Sequence, residues 1–157
     1  MVTGLLHLHS VLRWFILIFL LVAIFQSWKA KSSKLPFTQG NRKIALFLLI
    51  STHLNLLIGI YQLFAGRFGI LNASLPAGES LMKNAFFRFY WVEHPVGMLV
   101  AVALITIGYS KVKKSANSNT FNGAPFMLFL LALIIILATI PWPFREALGS
   151  RPLLPGM

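Results

Sequence analysis

The stretch LLHLHSVLRWFILIFLLVAIFQSW, residues 5–28, carries one permanent charge, Arg13. As a helix rising 1.5 Å per residue it would be about 36 Å long, enough to cross a hydrocarbon layer of roughly 30 Å. Three more blocks of this kind follow: Ile44–Ala65, Trp91–Tyr109 and Phe126–Trp142. Backbone polar groups in lipid must satisfy one another, so each block is expected to be a helix. The whole chain agrees: its 157 residues are 57% hydrophobic and 11% charged, whereas a soluble domain carries about a quarter charged residues. The expected fold is all-α: an integral membrane four-helix bundle, up-down-up-down, forming one transmembrane domain over residues 1–157.

Charge orients the bundle. Fourteen Lys and Arg stand against three acidic residues, an excess that elsewhere would point to nucleic acid. Here the cations sit in the connections. Lys29, Lys31, Lys34, Arg42 and Lys43 crowd the first, and Lys111, Lys113 and Lys114 the third. Arg67, Lys83 and Arg88 are spread through the longer second connection, and Arg145 and Arg151 lie in the tail. The basic connections are therefore expected on the cytoplasmic side and both termini on the outer side of the membrane, with anionic lipid head groups as partners and no nucleic acid. Trp14, Trp28, Tyr90, Trp91, Tyr109 and Trp142 mark head-group depth. The first span lacks a basic leader and a small-residue cleavage site, and reads as a retained helix. From about Ser80 the second connection has the composition of an interfacial helix running into the third span. The absence of cysteine excludes disulfides, thiolate-held iron–sulfur clusters and covalent c-type haem.

Ionisable residues within spans are costly and functional by default. Here they are His7, His9, Arg13, His53, Glu93 and His94. Counting from the cytoplasmic end, His53 lies roughly 15 Å deep, His94 roughly 25 Å and His9 roughly 30 Å. His9 and His94 thus share a layer near the outer leaflet, on spans that are diagonal in many four-helix bundles. Two imidazoles facing each other at one depth can ligate the iron of a b-type haem. His94, Gly97, Ala101 and Gly108 share a helix face, a smooth surface for a macrocycle or for another helix. Arg13, one turn from His9, needs an anion, either a haem propionate or Glu93. His53 reads either as an interhelical hydrogen bonder or as a ligand of this or a second haem or a quinone contact. His7 points about 200° away from His9 on a helix. It is either a plain interfacial residue or, if the first turn is extended, a copper ligand beside His9.

The segments LLHLHSVLRW, STHLNLLIGI, YWVEHPVGML and TIPWPFR together resemble a family of small four-helix bacterial membrane proteins labelled cytochrome b-like. The resemblance spans nearly the whole chain and implies haem b held by histidines among His7, His9, His53 and His94. The large respiratory cytochromes b differ in placing two ligand histidines on one helix. The expected function is electron transfer in a respiratory chain, as a component rather than a stand-alone enzyme. His9 and His94 would be the haem iron ligands, and quinol and an external acceptor the redox partners. Polar residues on two faces of the second span point to other membrane subunits or a homodimer. The competing expectations are a cofactor-free accessory subunit of a membrane complex, with the same residues as interhelical pins, and histidine-based copper handling.

Overall fold

The computed structural model describes residues 2–145 and 148. Among the described residues the regular structure is all helical: α1 Val2–Ser33, α2 Gln39–Ala65, a short α3 Ala85–Arg88, α4 His94–Ser118 and α5 Ala124–Thr139. A π-helical turn, Phe89–Glu93, fuses α3 to α4, so that Ala85–Ser118 is one continuous helix. This helix, α1 and α2 are each long and apolar enough to cross a membrane. The fourth apolar segment is shorter than its sequence promises. It stops at Thr139 rather than Trp142 and has 16 helical residues. Pro141 is the cause, because it forces Ile140 into the extended region, φ −76° and ψ 134°.

Local sequence chemistry sets the other ends. At the end of α1, Lys34 adopts φ 51°, its amide donates to Lys31 O, and Leu35 N donates to Ala30 O. This is a Schellman closure, with Pro36 beyond it to prevent continuation. Two residues later Thr38 opens α2 with a capping box: its hydroxyl accepts from Asn41 N while the Asn41 side chain accepts from Thr38 N. The turn between these helices is fastened to the end of α4, where Phe37 N donates to Ser115 Oγ and Gln39 Nε2 to Ala116 O.

The principal helix contacts run α1–α2, α2–α4, α4–α5 and α5–α1. They close a ring in which α1 stands opposite α4 and α2 opposite α5. Leu20, Leu48, Ile105, Phe129, Ala132 and Ile140 are fully buried along its centre. Phe15, Ile18, Leu21, Phe25, Leu57, Val96 and Ile134 point outward and are exposed. Helices apolar on their outer faces as well as in their core belong in lipid. The small face of α4 packs on a helix. A side chain on Gly97 would strike Thr139, and one on Gly108 would strike the ring of Phe129, both on α5.

Candidate functional site

Above this core the bundle opens into a cavity of about 360 Å³. Its wall draws on all four long helices and includes His9, Ser10 and Arg13 of α1, Thr52, Asn55, Gly59 and Gln62 of α2, His94, Met98 and Ala101 of α4, and Ile136 and Ile140 of α5. Arg67, Phe68, Tyr90 and Trp91 also line it. The volume is that of a small-molecule site, and the mixture of apolar walls with a few polar groups is characteristic of one.

His9 and His94 meet in this cavity, their ring centroids 6.4 Å apart and their planes inclined at 65°. They come from the diagonal pair, α1 and the head of α4. Gly59 makes room on one side: a Cβ there would lie 3.3 Å from His9 Cε1. Gln62 Nε2 donates to Leu5 O and ties the first turns of α1 to α2. His94 is held from the other side, its Nδ1 donating to the carbonyl of Thr139 at 2.7 Å. A carbonyl can only accept, so in the neutral ring the lone pair resides on Nε2. This is the arrangement in which metal-binding histidines are usually held.

The π turn before His94 has an identifiable origin. Pro95 has no amide to offer and crowds the carbonyl four residues back, and a widened turn relieves the crowding. His94 N donates instead to Phe89 O, five residues back. The turn carries Trp91 into a bond from its Nε1 to Phe68 O of 2.7 Å, anchoring the connection after α2. It also brings Arg88 and Glu93, five residues apart, into an ion pair at 2.7 Å. Glu93 is therefore the exposed partner of Arg88, and it does not line the cavity. Arg13 does line it, with its guanidinium 5.4 Å from the Trp14 ring centroid.

The remaining histidines lie elsewhere. His53 is exposed on the outer face of α2, among Leu49, Ile50, Leu54 and Leu57, with its Nδ1 donating to Leu49 O at 2.8 Å. It shares no cavity with His9 and His94. His7 is exposed on α1, which is helical through this region. The extended first turn needed for a His7–His9 copper pair is thus not adopted. Among the described residues no three His, Cys, Asp or Glu side chains gather as a metal site.

Thr52, Asn55, Gly59 and Gln62 share the polar and small face of α2 that is legible in the sequence, and all four line the cavity. The Oδ1 of Asn55 is buried and has no hydrogen-bond partner among the described residues. Thr139 is a different case, because the prolines after it mark it. No protein-family model, curated protein or solved structure matches this chain.

Proposed function

We propose that the protein is a membrane electron-transfer subunit whose cavity holds one b-type haem between His9 and His94. The observation that carries this reading is the pair of imidazoles at 6.4 Å on opposite helices, one with its lone pair already assigned to Nε2. Both rings line one cavity and lie 6.4 Å apart, and imidazole is a common ligand of haem iron, so the donor set fits the group. When bound, haem supplies one-electron redox chemistry. His9 and His94 would hold the iron, Thr139 orients His94, and Arg13 lies in the wall, where it would grip a carboxylate of the ligand. Ile136, Ile140 and Met98 line the cavity and would keep water from a bound metal and tune its potential.

The proposal places the bundle in a bacterial cytoplasmic membrane, up-down-up-down, with both termini outside and the cavity near the outer leaflet. Quinol and an external acceptor are the redox partners, within a larger respiratory assembly. Eight cations, Lys29, Lys31, Lys34, Arg42 and Lys43 around the α1–α2 turn and Lys111, Lys113 and Lys114 in the last turns of α4, with no acidic residue among them, support this orientation.

A reduced-minus-oxidised spectrum of the full chain, purified from haem-replete cells, tests the reading. A b-type alpha band is expected. It should be lost in His94→Ala and kept in His53→Ala and His7→Ala, whose side chains lie outside the cavity. A colourless wild-type protein overturns the reading and leaves the cofactor-free accessory subunit.

A further inference from the structure

The last turn of any helix leaves carbonyls without amide donors. At the end of α5 the sequence removes two donors that a longer helix would have supplied. Leu137 would accept from position 141 and Thr139 from position 143, and both are proline. Side chains take their place. Trp142 Nε1 donates to Leu137 O at 2.8 Å, Arg145 Nη1 to Ala138 O at 2.8 Å, and His94 Nδ1 to Thr139 O at 2.7 Å. Two of these donors come from the tail itself. The third reaches across from α4, and of the three it alone has two tautomers to choose between.

Thr139 is fixed by more than its carbonyl. Its hydroxyl donates to Ile135 O at 2.7 Å, and its methyl fills the notch at Gly97, one turn along α4 from His94. The carbonyl therefore arrives at the imidazole from a rigid base, which is what a tautomer-setting partner requires.

We infer that Pro141 and Pro143 are positioning residues. By ending α5 at Thr139 and withholding an amide at 143, they dedicate the Thr139 carbonyl to His94 and set the ring as the Nδ1–H tautomer. The purpose of this device, presenting Nε2 to a metal, rests on the haem reading. The tautomer itself does not, and it is measured with no cofactor present.

The test is nitrogen NMR of the full chain in lipid nanodiscs with labelled histidine, the His94 signals being identified by their loss in His94→Gln. Wild-type protein is expected to show His94 protonated at Nδ1 in essentially a single population. The double variant Pro141→Ala/Pro143→Ala lets α5 continue, gives Thr139 O an amide donor, and is expected to convert His94 to a mixture of tautomers. Each single variant keeps one proline: Pro143→Ala still breaks the helix at 141, and Pro141→Ala still withholds the amide at 143. Both should hold the wild-type tautomer, as should Trp142→Phe, which removes only the donor to Leu137. An Nε2-protonated wild type, an unchanged tautomer in a folded double variant, or release by either single variant overturns the inference. The singles and Trp142→Phe keep it testable if the double variant does not fold. A colourless protein whose His94 keeps the Nδ1–H form would defeat the haem reading alone.

Discussion

At the scale of single residues, the two glycines of α4 show how one sequence feature serves two readings. Small residues below His94 are equally suited to a flat cofactor and to a close helix. The structure decides for the helix, because Gly97 and Gly108 face Thr139 and Phe129. A Cβ on Gly108 would come within 2.5 Å of a ring atom of Phe129, and that ring is fully buried. Alanine recovers about 1 kcal/mol of helix propensity, but overpacking a fully buried ring this closely costs about 2–3 kcal/mol, the upper part of the usual range. Gly108→Ala should therefore lower stability by about 1–2 kcal/mol, read as an earlier denaturation midpoint in detergent micelles. Gly4→Ala, with open space around it, should not. Unchanged unfolding of Gly108→Ala would mean that α4 and α5 are not in contact at this level.

At the scale of elements, prolines decide more than apolar content does. Pro95 produces the turn that aims Trp91 at Phe68 and pairs Arg88 with Glu93. Restoring the amide with Pro95→Ala removes the reason for the wide turn, and a regular α-turn would rotate everything before it by about 100°. The indole N–H of Trp91 should then lose its protection against hydrogen exchange, while that of Trp142, bonded to Leu137 O, stays protected. Protection retained at both would show that the π turn has another cause. Helix existence was legible from the four apolar blocks, and so was a helix running from the second connection into the third span, although it begins at Ala85, capped by Asn84, rather than near Ser80. The length of α5 was not. Hydropathy runs unbroken through Ile140 to Trp142, but backbone geometry does not pass Pro141.

At the scale of the whole molecule, the proposed four-span arrangement gives the short fourth helix a mismatch with the bilayer. Sixteen residues rise about 24 Å against a hydrocarbon layer of about 30 Å, and a short span is matched by thinning the bilayer around it. The protein should unfold later in vesicles of shorter-chain phosphatidylcholine than in longer-chain vesicles. Its thermal midpoint followed by circular dichroism across a chain-length series would show this, and a midpoint rising with thickness would refute it. The sequence by itself determined the apolar helices, their order and the shared level of His9 and His94, because composition and a constant rise per residue fix those. Only the tertiary structure decided which polar groups meet. It paired Glu93 with Arg88 rather than Arg13, turned His53 outward, and gave His94 to the carbonyl of Thr139. Such choices depend on helix rotation and on which neighbour arrives at a given height, and both are set by packing between segments far apart in the chain.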